Sequence, residues 1–160
     1  MRKKIVLILF FLLGNITFSQ TIEKKQNDSL RKISVENFRK LYWKTFPKDP
    51  KGWVNDYEDI FSDVEEKKMD SLITNYEKET SIEIAIITLD TIKTSKDKFE
   101  ALSLHIAKTW GVGKKEKDNG ILIGLSKGYR KIRIELGNGI TNVLSDQETK
   151  DIIENYFIPE

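Results

Sequence analysis

Cysteine is absent from this 160-residue chain, and histidine occurs once, at His105. Without thiols there is no disulfide framework, no thiolate zinc site, no iron–sulfur cluster and no cysteine nucleophile. There is also no cysteine to carry a lipoprotein anchor. A single imidazole argues against a His-rich metal centre or a Ser-His-Asp triad, because His105 would have to serve alone. An excess of one charge is missing too: 27 Lys+Arg stand against 25 Asp+Glu. Nucleic-acid binding needs a concentrated basic face, so no nucleic-acid partner is expected. Long apolar runs are absent. The run Ile5–Leu13 has nine residues, where a bilayer span needs about 20. No Walker loop, metalloprotease helix or nucleophile elbow occurs.

The amino-terminal residues follow an export pattern. Arg2, Lys3 and Lys4 precede the apolar run, and Thr17 and Ser19 are small residues before Gln20. Residues 1–19 therefore read as a signal peptide. The other reading is an uncleaved anchor or a buried strand. Cleavage would leave 24 basic against 25 acidic side chains, a near-neutral exported domain, periplasmic or secreted. The mature chain would carry no transmembrane segment.

Residues 20–50 read as a charged extension or linker. Leu30, Ile33, Leu41 and Tyr42 suit a short amphipathic helix within it. Pro47, Pro50 and Gly52 place a boundary before a domain spanning 51–160. A single domain of about 150 residues hides roughly 68–70% of its unfolded surface, enough for a real core. Ser62 and Glu65 form a capping box that opens a helix with Val64, Leu72, Ile73 and Tyr76 at helical spacing. Ile82–Leu89 is a β-branched run, a buried strand. Phe99, Leu102, Ile106 and Trp110 mark a second helix, stopped by Gly111. Ile121–Leu125 is another buried strand. After a turn at 127–130, Ile132, Ile134 and Leu136 alternate with Lys131, Arg133 and Glu135, a strand with one wet face. Ser145 and Glu148 form a second capping box before Ile152, Ile153 and Tyr156, which point inward. The order α-β-α-β-β-α implies an α/β fold with helices packed on a mixed sheet.

Candidate chemistry lies in acidic loops. Asp118 and Asn119 end a Gly- and Lys-rich segment just before a strand. Hard cations such as Ca²⁺ and Mg²⁺ take carboxylate, amide and carbonyl oxygens and need no histidine. The plainer reading is an Asx-type turn. Asp56 reads as a loop acid before the first helix, and Asp146 as a first-turn acid facing a helix dipole. If these three carboxylates met at one rim of the sheet, their repulsion would call for a cation. Glu135 could support such a ligand near the rim. Lys114, Lys115 and Lys117 either attract an anion or form a solvated loop. Gly137-Asn-Gly139 lacks the third glycine of a phosphate loop and reads as a turn. His105 reads as a structural or surface residue, and Trp110 as a core anchor.

The ordered set Val54–Asp56, Ile60–Ser62, Trp110–Gly113, Lys117–Ile123, Arg130–Gly139, Val143–Asp146 and Ile158–Pro159 resembles the TPM domain family over residues 50–160. That resemblance implies a three-layer α/β/α sandwich with a mixed β-sheet, exported or thylakoid-lumenal. It maps an acidic metal rim onto Asp56, Asp118 and Asp146, with Asn119 beside Asp118. Plant relatives are described as acid phosphatases of photosystem II repair, and bacterial relatives as divalent-metal binders. Two functions follow as expectations. One is an envelope accessory module that binds Ca²⁺ or Mg²⁺ and contacts an envelope or membrane protein. The alternative is a metal-assisted phosphatase acting on phosphomonoesters. Many relatives continue into a membrane segment and a Gly-rich tail. Relatives also run on through another helix where this chain stops at Pro159-Glu160.

Overall fold

Parallel pairing of aliphatic strands organises the protein. The computed structural model describes residues 2–45 and 49–157, with side chains from Gln20 onward. Side chains of the proposed signal, and the Ile158–Glu160 end, lie outside the described residues. Strand β1 (Val54–Asp56) pairs in parallel with β2 (Glu83–Thr88), and β2 in parallel with β3 (Gly120–Ser126). Strand β4 (Lys131–Leu136) returns antiparallel to β3 after a tight turn. The sheet order is β1-β2-β3-β4. Helix α2 (Asp63–Thr80) lies over β1 and β2, and α3 (Phe99–Trp110) over β3 and β4. Helix α4 (Asp146–Ile152) continues as a π turn, Ile153–Phe157. This is the three-layer α/β/α arrangement with a mixed sheet.

The core forms where α3 meets the sheet. Ala85 and Ile87 of β2, Leu122 of β3, and Phe99, Leu102 and Ile106 of α3 are buried together with Leu89. Side chains alternate along a strand, so Gly124 shares the face of Leu122. A Cβ at Gly124 would press on Ser103 Oγ and Phe99. Glycine there lets α3 approach the sheet closely.

Helix α1 runs from Arg2 to Thr45, 44 residues, rather than as a short amphipathic segment. No glycine or proline occurs between Asn15 and Phe46, and Lys, Glu, Gln, Leu and Arg sustain helix well. The chain divides into two units, Met1–Lys40 and Leu41–Glu160. Within the first, Ile22, Leu30, Ile33 and Phe38 are exposed. The second begins ten residues before the boundary drawn at 51 from the proline pattern. Its Tyr42 and Trp43 pack partly buried against the core. Trp43 stacks on His105, with ring centroids 5.2 Å apart and planes inclined by 14°. Among the described residues no helix is long and apolar enough to cross a membrane.

Three local readings differ from the structure. The pattern predicts a loop at Asp56, but Val54–Asp56 is a strand. Asn and Asp are poor strand formers, and only pairing with Ile86–Thr88 makes the segment extended. Helix α2 buries Ile73, whereas Val64, Leu72 and Tyr76 are exposed. Its inward side instead includes Asp70, which accepts the Val54 N–H at 3.0 Å. Tyr156 is likewise exposed, and the π turn that follows α4 rotates it away from the helical position assumed for it. Both capping boxes form as predicted, with Ser62 accepting from Glu65 N–H and Ser145 from Glu148 N–H.

Candidate functional site

The strand directions separate the acidic positions. Asp56, Thr88 and Leu125 are level at the carboxyl end of the parallel strands, while Glu83 and Gly120 are level at the amino end. Strand residues rise about 3.3 Å each, so the two rims lie roughly 17 Å apart. Asp118 and Asn119 precede Gly120 and belong to the amino-end rim. Asp56 stands at the other one. Asp146 opens α4, near enough to Arg133 to act on its charge. The three carboxylates are thus not assembled into one rim. Among the described residues, no group of three or more His, Cys, Asp or Glu gathers as metal ligands.

Asp56 has a defined local task. Its Oδ2 accepts the N–H of Ile60 and of Phe61, both at 2.7 Å. Its Oδ1 accepts the Glu58 N–H at 3.2 Å and the Thr88 hydroxyl at 2.5 Å. Burial raises the Asp56 carboxyl, but the Thr88 hydroxyl and the three N–H groups outweigh it and hold the carboxyl below its ordinary range. The carboxylate therefore ties the β1–α2 loop to the end of β2. Nearby, burial and the charges of Asp56, Asp63, Asp70 and Asp59 push Glu66 up.

Four glycines interlock the amino-end rim. A Cβ at Gly120 would overlap the Val112 carbonyl, and one at Gly113 would overlap Gly120 N. A Cβ at Gly137 would overlap the Asp118 carbonyl oxygen, and one at Gly139 the Lys117 carbonyl oxygen. The Gly137–Gly139 turn is thus a backbone-to-backbone packing surface for Lys117 and Asp118. Gly139 N–H also donates to the Asp118 carbonyl at 2.8 Å. Asn119 is buried, with its Oδ1 accepting the Lys114 N–H at 3.0 Å and its Nδ2 donating to the Ser81 carbonyl at 2.7 Å. It fastens the loop to the end of α2. Lys114 bridges Glu77 at 2.7 Å and Glu83 at 2.6 Å. Those two hydrogen bonds raise its pKa, against a smaller opposing effect of burial. Lys117 donates to Ser81 Oγ at 2.8 Å. Two of the three loop lysines are therefore structural.

Asp118 differs from the others. It is exposed, with φ 45°, a left-handed conformation that a non-glycine residue adopts infrequently. Its Oδ2 accepts both Asn138 N–H, at 2.9 Å, and Asn138 Nδ2, at 2.8 Å. Its Oδ1 takes no hydrogen bond among the described residues. A cleft of about 810 Å³ opens beside it, lined by Leu104, Lys108, Lys115, Leu122 and Glu135 among others. Glu135 is only 8% exposed, so the wet face expected for it is covered. Cross-strand pairing with Leu122 puts it on the α3 side of the sheet. Arg133 makes this burial tolerable, donating to Glu135 at 3.0 and 3.3 Å. The sequence pattern marks Glu135 only as a support near the rim, and Lys108 not at all. Glu135 was discoverable from its spacing of two from Arg133, which puts both on one strand face. Lys108 carried no signal, because one exposed helix lysine looks like any other.

Residues 54–160 match the family described as the TPM domain. The solution NMR structure of the N-terminal domain of a protein from P. gingivalis is similar over 67% of this chain and 67% of its own, at 30% identity and a TM-score of 0.60. That of the N-terminal domain of a Corynebacterium glutamicum protein is similar over 69% of this chain and 70% of its own. Its identity is 18% and its TM-score 0.51, a likeness of fold alone. No curated protein matches the chain.

Proposed function

The chain belongs to the TPM domain family, and we propose that it is an exported domain binding a divalent cation, Ca²⁺ or Mg²⁺, at the amino-end rim. Asp118 carries the proposal: it lines the cleft, its backbone is packed against Gly137 and Gly139, and one of its carboxylate oxygens takes no hydrogen bond among the described residues. At most a hydrated cation suits these residues, because the lysines of the same cleft oppose added positive charge. Asp118 supplies one free oxygen, Glu135 is occupied by Arg133, and Lys108 and Lys115 line the same cleft. With so few protein oxygens, water would complete the coordination, and affinity would be weak. Extracellular calcium modules work in the range of about 10⁻⁴–10⁻³ M, which suits the leader pattern of residues 1–19. An envelope or membrane protein is the partner class that the same leader supports.

Calcium and magnesium titrations followed by thermal unfolding test this reading. A ligand that binds only the folded state stabilises by about 2.7 kcal/mol at 100 times its dissociation constant. A saturable rise is expected for the full chain, lost in Asp118→Ala and retained in Asp56→Ala. A flat response to both ions would remove the proposal.

One observation favours the enzymatic alternative. Lys108 and Lys115 line the cleft beside Asp118 and would offset the charge of a phosphomonoester. A bound cation would polarise a phosphoryl oxygen and acidify a bound water. Phosphomonoester hydrolysis measured with and without metal decides it. Turnover that survives Asp118→Ala would exclude this cleft as the reactive site.

A further inference from the structure

We propose that a groove beside the β3–β4 turn binds a monomeric amphiphile with one anionic head, of the fatty-acid type. This groove is at the carboxyl end of β3, at the opposite end of the sheet from Asp118, and its argument is independent of the cation site. This open groove offers about 490 Å³, within the roughly 300–1,000 Å³ typical of small-ligand pockets. Its walls are Ile60, Leu125, Ile132 and Phe157, and Lys127 and Arg130 stand with them.

The apolar part follows from topology. Leu125 and Ile132 are cross-strand partners, on the sheet face opposite α3. On that face α2 lies over β1 and β2. Leu125 and Ile132 therefore stay half-buried, and Phe157 is 47% exposed.

The head-group end follows from charge. Lys127 and Arg130 are exposed, and neither side chain pairs with a carboxylate among the described residues. Lys131 is paired with Glu100 at 3.1 Å. Glu58 is the acid bound into this turn, accepting the Lys127 N–H at 2.8 Å and the Gly128 N–H at 3.4 Å. Arg130 has φ 51°, where glycine is the ordinary occupant. The planar fork of the Arg130 guanidinium matches a carboxylate or phosphate head. An inorganic anion would leave the apolar walls uncovered. An alkyl chain joined to an anionic head satisfies both ends.

Amide NMR shifts of the full chain test this, with decanoate kept below its micelle concentration. Decanol, decyltrimethylammonium and anionic phosphatidylglycerol vesicles are titrated in parallel. Saturable shifts at residues 125–132 with decanoate are expected, with decanol and the cationic amphiphile at least tenfold weaker there. The Lys127→Gln/Arg130→Gly double variant is expected to bind decanoate at least tenfold more weakly. Arg130→Gly alone is expected to keep or raise Tm, because glycine suits the left-handed turn, while weakening binding. Equal shifts from all three amphiphiles, shifts confined to other segments, or unchanged affinity in the double variant would overturn the proposal. A response at 125–132 to vesicles but not to decanoate would overturn it in favour of a membrane surface.

Discussion

Replacing Asp56 by alanine separates a loop-organising carboxylate from a metal ligand. The substitution removes four acceptor contacts, to Ile60, Phe61 and Glu58 N–H and to the Thr88 hydroxyl. Thr88 is fully buried, so water cannot replace the lost acceptor. A stranded buried group of this kind costs about 1–3 kcal/mol. The N–H groups are part-buried, and water recovers much of their loss. The sum is about 3 kcal/mol for Asp56→Ala, or roughly 10 °C in Tm for a domain of this size. Asp56→Asn keeps the shape and one acceptor oxygen, and about half that loss is expected. The assay is urea unfolding of wild type and both variants in excess EDTA. Chelator matters, because a residue serving only as a metal ligand would show no destabilisation under that condition. The pH dependence adds a second reading. The folded Asp56 carboxyl lies below its ordinary value, so its contribution is complete above the unfolded pKa of about 3.9. It is lost as pH falls through the lower folded value. The gap between wild type and Asp56→Ala should therefore narrow only below about pH 4. A variant within about 0.5 kcal/mol of wild type in EDTA, the ordinary scatter of surface substitutions, would refute the loop assignment.

Gly139→Ala places a Cβ against the Lys117 carbonyl, and overpacking of this kind costs about 1–3 kcal/mol; denaturant midpoints measure it, and cation affinity should fall with it because Asp118 is displaced. Arg133→Ala leaves the Glu135 carboxylate buried without its partner, whereas Arg133→Ala/Glu135→Gln removes the stranded charge. A double-mutant cycle should give a coupling of about 1–2 kcal/mol, inside the range for directly paired residues. Ser145→Ala removes the acceptor for the Glu148 N–H at a cost of about 1 kcal/mol, visible as earlier amide exchange in α4.

Legibility tracked how local the determinant was. Both capping boxes were readable because a hydroxyl and a carboxylate three residues apart complete them. The run at 82–89 was readable because its dense β-branched residues suit a buried strand, and 121–125 because it is a short continuous apolar run. Val54–Asp56 was not, since its extended form depends on a partner strand some thirty residues away. Nor was the inward face of α2 legible, because Asp70, a charged residue, occupies a place that a hydrophobic pattern assigns to Leu72 or Tyr76. Its reason for being there is the Val54 N–H.

The chain by itself determined the α/β class, the capping of two helices and membership of the TPM domain family, since each rests on spacing along the backbone. Strand direction decided the rest. Parallel pairing sends Asp56 and Asp118 to opposite ends of the sheet, although both precede or follow strands in similar-looking contexts. Close backbone packing at Gly113, Gly120, Gly137 and Gly139 gathers the segments around Asp118. Burial turned Glu135 from a surface acid into a charge that needs Arg133. Direction, contact and burial are relations between distant segments, so only the tertiary structure could supply them.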